Sequence, residues 1–153
     1  MTPCVLYGSA CWALTAQRAR NLQTVRRRML RQMFVSNGAW KLARGSLEEW
    51  VDHMRQSTHK AETLASTHGS FDWVSSQRRR KWRFAGKLAT CTDERWNRKL
   101  LEWSSWHGSG RSAGHHFTRW SDELCALAGG NWIQHATDSA MWSHLEDGFV
   151  MIR

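Results

Sequence analysis

The chain has 153 residues, enough for one domain or two small ones, and its single proline, Pro3, leaves helix formation almost unopposed. Its formal net charge is +9 and its pI is about 10.3, which indicates an anionic partner, either nucleic acid or an acidic membrane surface. Residues 1–17 carry no charge but are too short and too polar to span a bilayer, which excludes a transmembrane segment there.

The basic charge is concentrated at the front of the chain. Residues 1–47 contain eight Lys and Arg and no acid, whereas residues 120–153 contain five acids and one base. An acid-free, arginine-rich beginning is also typical of an organelle transit peptide, and plainly solvated basic helices are a further alternative. The four cysteines form no Cys-x-x-Cys pair and follow no secretory signal, which predicts free thiols in a reducing compartment, the nucleus or the cytoplasm.

The first predicted helix follows Thr15, a suitable N-cap, and ends near Asn37-Gly38. Apolar residues recur in it at every third or fourth position, and arginines occupy its other faces. The predicted buried stripe consists of Leu22, Val25, Met29 and Met33.

The second predicted helix begins with a capping box, in which Ser46 and Glu49 each cover a free backbone N–H of the other. It ends before residue 68, and its apolar stripe consists of Leu47, Trp50, Val51, Met54 and Ala61. A third helix opens at Ser70 and contains the densest run of positive charge, residues 78–83. The residues that it offers for burial are Val74, Trp82, Ala85 and Leu88.

A fourth, short helix is predicted from about Asp93, and glycine and serine then dominate residues 104–117, which we interpret as a linker. A fifth helix runs from about Thr118 to Gly129-Gly130. Asn131 caps a sixth helix, which extends to Phe149. The sequence therefore predicts an all-α fold of about six amphipathic helices that ends in a Trp-rich tail.

Several blocks of the chain carry recognisable motifs. Residues 6–15 read LYGSACWALT, and residues 22–34 contain the string RRRMLR. Residues 81–89 read KWRFAGKLA, and residues 95–103 read RWNRKLLEW. The last third contains GHHFTRWSDEL at 114–124, followed by NWIQHATD from 131 and by Trp142, LE at 145 and FV at 149.

These blocks resemble, in the same order, the region after the palm in the endonuclease-reverse transcriptases of non-LTR (LINE-type) retrotransposons. The corresponding family motifs are LYGSExWxLT, LxxxxRRMLRxML, LRWxGHVxR, RWxxxLLxW, GRPxTRWxDDL and WxxxAxDRxxWxxLEEAFV. The chain departs from them where His115-His116 stand for Arg-Pro, Lys87 for His and Ser139 for Arg. Such drift is what an unselected remnant would show.

In that family the helices after the palm form the thumb, which grips the template–primer duplex. The resemblance therefore implies a thumb-like basic helical region at residues 1–103, joined by the linker at 104–117 to a C-terminal helical hairpin at 118–153. It also implies a non-catalytic fragment, because the aromatic-Ala-Asp-Asp turn that holds the catalytic Mg²⁺ ions is missing. The expected partner is the backbone of RNA or DNA, with no cofactor and no small-molecule substrate.

Other constellations of reactive residues favour structural interpretations. Asp122-Glu123 lies at the start of a predicted helix, where its charges satisfy the helix dipole more simply than they bind a metal. The possible zinc ligands lack the required spacing and are interpreted as surface histidines and a core thiol; they are His115, His116, Cys125 and His135. No catalytic or metal-binding residue is predicted from these constellations.

Two basic clusters are the predicted nucleic-acid-binding site, because the planar guanidinium fork of arginine matches phosphate. They consist of Arg26, Arg27, Arg28, Arg31, Arg78, Arg79, Arg80, Lys81 and Arg83. Trp82, inside the second cluster, either stacks on a base or joins the core. Two alternatives to nucleic-acid binding stay open: a degenerate retroelement remnant with no selected activity, and a basic amphipathic helix that binds membranes.

Overall fold

A computed structural model describes residues 2–34, 46–69, 72–91, 99 and 119–152. All the regular structure of these residues is helical and none of them lies in a β-strand, which confirms the predicted all-α class. The helices are α1 (Thr2–Val5), a 3-10 helix (Ser9–Cys11), α2 (Ala16–Phe34), α3 (Leu47–Thr67), α4 (Trp73–Thr90), α5 (Asp122–Ala128), α6 (Trp132–His135) and α7 (Ser139–Val150).

The chain forms two compact units, one from Gln17–Val74 and one from Met1–Ala16 together with Ser75–Arg153. The predicted boundaries at residues 103 and 118 lie outside the described residues and stay a prediction. The predicted linker at 104–117 and the predicted helix near Asp93 lie outside the described residues. None of the four cysteines is in a disulfide, as the sequence predicts.

The first unit, Gln17–Val74, contains the two long helices α2 and α3. The predicted capping box opens α3: Ser46 Oγ accepts from Glu49 N, and Glu49 Oε2 accepts from Ser46 N at 2.8 Å. A small core joins the two helices, in which Leu30 of α2 packs with Ala61 and Ala65 of α3. Small residues at these positions let the two backbones approach closely.

The predicted buried stripe of α2 is wrong at two of its four positions. Val25 is 50% exposed and Met33 is 57% exposed, whereas Leu22 and Met29 are half-buried and the buried residues of the helix are Leu30 and Arg26. The contact with Ala61 and Ala65 of α3 falls at Leu30, which is next to the predicted stripe.

The second unit is built around a pair of stacked indoles, Trp82 of α4 and Trp142 of α7. Their ring centroids are 3.7 Å apart and their planes differ by 7°. Trp82 Nε1 donates to the backbone oxygen of Trp142 at 2.9 Å, and Trp142 Nε1 donates to that of Trp82 at 3.1 Å. Trp82 has no exposed surface, so of its two alternative roles the structure shows the core one. The buried residues around the pair include Leu124, Trp132 and Phe149.

The predicted sixth helix is in fact two helices, α6 and α7. Asn131 precedes α6 but its side chain makes no capping hydrogen bond. The second helix, α7, begins after Asp138. The Oδ1 atom of Asp138 accepts from the backbone N–H groups of Ala140 and Met141 and so caps α7. Aspartate is among the strongest N-caps, and its preference for the cap position breaks the helix here.

Residues 6–10 are held in the second unit by three side chains. Gln77 Nε2 donates to Ser9 O at 3.0 Å, Arg80 Nη1 to Leu6 O at 3.0 Å, and Trp120 Nε1 to Ala10 O at 2.7 Å. The loop between α1 and the 3-10 helix therefore lies against α4.

Candidate nucleic-acid interface

The basic run of α4 has partners inside its own unit. Arg78 donates to the backbone oxygens of Val150, the last residue of α7, and of Ile152, which follows that helix. Arg79 Nη2 lies 3.2 Å from Asp147 Oδ1, and Arg80 donates to the loop at residue 6. Each of these three guanidinium groups thus joins α4 to another segment of the unit.

Lys81 and Arg83 are also paired. The side chain of Lys81 is fully buried, forms an ion pair with Glu123, and places Nζ 5.5 Å from the ring centroid of Trp120. Arg83 Nη2 lies 2.8 Å from Glu146 Oε1, and the hydrogen bond to this carboxylate raises the pKa of Arg83 above its ordinary value. That these five basic residues bind nucleic acid stays a prediction, but the structure gives every one of them an intramolecular role.

The arginines of α2 lie in different surroundings. Arg26 is 9% exposed, whereas Arg28 is at the surface. Arg27 Nε donates to Glu62 Oε1 of α3 at 2.9 Å, and Arg31 Nη1 donates to Thr58 Oγ1 at 2.8 Å. Arg27 and Arg31 are four residues apart and therefore project from one face of the helix. That face carries no acid, because α2 contains none.

A cleft of about 480 Å³ lies between α2 and α3, within the range of about 300–1,000 Å³ typical of ligand sites. We call it the α2–α3 groove. It is lined by Thr24, Arg27, Arg31, Trp50, Val51, Met54, Arg55, Thr58, His59 and Glu62. Three arginines face one glutamate, so the lining has a formal charge of +2 with His59 neutral.

Only Arg27 and Arg31 of the groove were among the predicted site residues; the exposed indole of Trp50 and the cation of Arg55 were not. Trp50 is 39% exposed, although its place on the apolar stripe of α3 predicts burial. Arg55 Nη1 lies 3.4 Å from Asp52 Oδ1, and both side chains are mostly exposed, so this ion pair holds Arg55 only weakly. The sequence signal that could have identified Trp50 as exposed is the apolar stripe of α3. This stripe is longer than the apolar face of α2 that could cover it.

No protein-family model, curated protein or solved structure was found to match this chain. The functional interpretation of the α2–α3 groove therefore depends on the residues that line it. In the described part of the chain, every helix is too short or too polar to cross a bilayer.

The residues that the sequence analysis weighed as possible metal ligands make intramolecular contacts where the structure describes them. Asp122 and Glu123 lie in the first turn of α5. The Asp122 carboxylate accepts from the backbone N–H of Arg119 at 2.8 Å, and Glu123 pairs with Lys81. Among the described residues, which do not include His115 and His116, no three His, Cys, Asp or Glu side chains come together at a metal site.

Proposed function

We propose that this chain is a non-catalytic, sequence-nonspecific nucleic-acid-binding protein, that the α2–α3 groove is its binding surface, and that it derives from the tail of a non-LTR retrotransposon reverse transcriptase. The observation that carries the binding proposal is the groove itself. It combines three arginines, Arg27, Arg31 and Arg55, with the exposed indole of Trp50. The derivation rests on the sequence resemblance.

The arginines supply the phosphate contacts. Arg27 and Arg31 line one wall of the groove and Arg55 lines the other, so that a strand lying in it meets positive charge from both helices. Each guanidinium group presents a planar set of donors that fits phosphate oxygens. For three contacts to a single strand, log affinity falls with log salt with a slope of about −2.

Trp50 favours an unpaired strand over a duplex. An exposed indole stacks on any base and adds roughly 1–3 kcal/mol per base without reading its identity. A paired base already has its faces covered by neighbouring bases, so only a single-stranded segment gives Trp50 a free surface. The groove therefore fits single-stranded RNA or DNA with little sequence preference.

The test is fluorescence anisotropy with a labelled single-stranded oligonucleotide of mixed sequence, titrated at several salt concentrations. Replacing Arg27, Arg31 and Arg55 together by glutamine should bring the salt slope close to zero. Trp50→Ala should weaken binding by roughly tenfold. The matched controls are Arg119→Gln and Trp12→Ala, which remove an exposed arginine and an exposed indole outside the groove and should change little.

Glu62→Gln is the sharpest variant, because it should tighten binding. The substitution removes the one acid of the groove and releases Arg27 from its ion pair. Damage to the fold would weaken binding instead, so the direction of the change separates the two causes. Glu48→Gln, which removes a surface acid from the same helix outside the groove, controls for net charge. If wild-type protein has no affinity for single strands at low salt, or if Glu62→Gln binds no better than its control, the proposal is wrong.

One observation favours the second candidate, a membrane surface. Val25 and Met33 of α2 are half exposed beside its arginines, and a helix with apolar and basic faces can lie in the interface of an anionic bilayer. Co-sedimentation with anionic and neutral vesicles tests this function. Binding to anionic vesicles that Val25→Ser and Met33→Ser abolish, without single-strand binding, would support it in place of the groove.

A further inference from the structure

A second cleft lies in the unit that contains residues 75–153, and it shares no lining residue with the α2–α3 groove. Its volume is about 390 Å³, and it is lined by Leu6, Gly8, Ser9, Ala10, Arg80, Arg83, Phe84 and Lys87. One wall is a single face of α4, since residues 80, 83, 84 and 87 follow helical spacing. The opposite wall is the loop at residues 6–10, where Gly8 has a φ of 64°.

The cleft has a net positive charge. Arg80, Arg83 and Lys87 line it, and the nearest paired acid, Glu146, is bound to Arg83. Arg80 uses one N–H for the backbone oxygen of Leu6 and retains further donors. Lys87 forms no ion pair with any acid that the structure describes. An anion in the cleft would therefore meet two cations, Arg80 and Lys87, that no carboxylate among the described residues neutralises.

Ser9 is one of the residues that line this cleft. Ser9 is 1% exposed, and within the described part of the chain its Oγ has no hydrogen-bond partner. Buried polar groups are nearly always bonded, so an orphan hydroxyl calls for an explanation. The backbone of Ser9 is anchored, because Gln77 Nε2 donates to its oxygen at 3.0 Å. An unused hydroxyl on a residue that lines the same cleft as two cations suits a bound oxyanion.

The remaining lining is apolar. Leu6 and Ala10 come from the loop, and Phe84 comes from α4. The rings of Phe84 and Trp120 are in edge-to-face contact. An inorganic anion would leave this surface uncovered, whereas an organic group attached to the anion would cover it. The lining therefore fits a small molecule with one charged end and one flat, apolar end.

We propose that this cleft binds a phosphate monoester of mononucleotide size. The phosphate contacts Arg80, Lys87 and the Ser9 hydroxyl, and the organic part lies against Leu6 and Phe84. This ligand is a departure from the sequence-based expectation of no small-molecule substrate. The site is independent of the proposed nucleic-acid groove, with which it shares no residue.

The experiment is a ³¹P NMR and calorimetric titration of the full chain with AMP, inorganic phosphate and adenosine. AMP should bind tightest and inorganic phosphate more weakly, while adenosine should bind weakest. Lys87→Gln should lower the affinity for AMP by roughly tenfold, because a charge-assisted contact is lost. Lys60→Gln, an exposed lysine of α3, is the matched control and should leave AMP binding unchanged.

Ser9→Ala separates a binding role from a structural one. Because its buried hydroxyl has no protein partner, its removal should leave the melting temperature unchanged or higher, while AMP affinity falls by about fivefold. The proposal is overturned if AMP does not bind, if adenosine binds as tightly as AMP, or if AMP affinity is the same in Lys87→Gln and Ser9→Ala as in the wild type. Failure of single-strand binding in the groove leaves these outcomes untouched.

Discussion

Gly86→Ala should destabilise the second unit, although alanine is the better helix former. Gly86 lies inside α4, and a Cβ atom there would stand 2.8 Å from Trp142 Nε1 and 2.9 Å from Trp142 Cδ1. The indole cannot move aside at low cost, because it is stacked on Trp82 and donates to the backbone oxygen of that residue. Relief of the clash therefore requires that this hydrogen bond and the stacking be disturbed together.

The magnitude follows from three contributions. Alanine in place of glycine favours a helix interior by about 1 kcal/mol. Overpacking of a filled core costs about 2 kcal/mol. The buried Trp142 N–H that loses its acceptor costs about 2 kcal/mol more. The free energy of unfolding of the second unit should therefore fall by about 3 kcal/mol.

Urea unfolding followed by near-UV circular dichroism, which reports on the stacked indoles, measures this loss. Gly148→Ala in α7 is the matched control, because its new Cβ would be 4.0 Å from Leu127, an ordinary contact. That variant should be stabilised by up to about 1 kcal/mol. The reasoning is refuted if Gly86→Ala is as stable as the wild type or gains stability as Gly148→Ala does.

Three further predictions concern the supports of the two units. Glu123→Ala leaves the buried ammonium of Lys81 without its partner and should lower the free energy of unfolding in urea by about 3 kcal/mol. The loss should exceed that of Lys81→Met, and the reverse order would contradict the ion pair. Trp120→Phe removes the hydrogen bond to Ala10 O and should speed amide exchange of residues 2–15 by mass spectrometry, whereas unchanged exchange would show that other contacts hold the segment. Ser46→Ala should cost the first unit about 1 kcal/mol in thermal unfolding, and no loss would mean that the capping box is not stabilising.

Local signals in the sequence predict much of the helical structure. The capping box at Ser46 and Glu49 depends on residues three apart, and the structure confirms it. The predicted sixth helix was wrong because two local preferences compete there: apolar periodicity favours continuity, and Asp138 favours a new N-terminus. The apolar periodicity alone does not show which of these two local preferences is stronger.

The surroundings of the basic residues could not be predicted in the same way. The partner of Arg79, Asp147, is 68 residues away in the sequence, and the partner of Arg83, Glu146, is 63 away. No spacing rule connects such positions. A dense basic run at 78–83 therefore predicts a ligand-binding surface, whereas the fold uses each member as a cross-link. In the α2–α3 groove, likewise, only the packing of α2 on α3 brings Arg55 and Trp50 beside the arginines of α2.

The composition of the second unit from two separated stretches of chain bears on the order of folding during synthesis. Residues 17–74 can bring α2 and α3 together while the ribosome is still making the remainder. The loop at residues 6–10 must wait, because its anchors Gln77, Arg80 and Trp120 come later, the last of them 110 residues after Ala10. Until Trp120 emerges, residues 6–10 lack one of their anchors and form an apolar segment that a chaperone can bind. Pausing of translation before Trp120 emerges should therefore prolong the period during which this segment is open to aggregation.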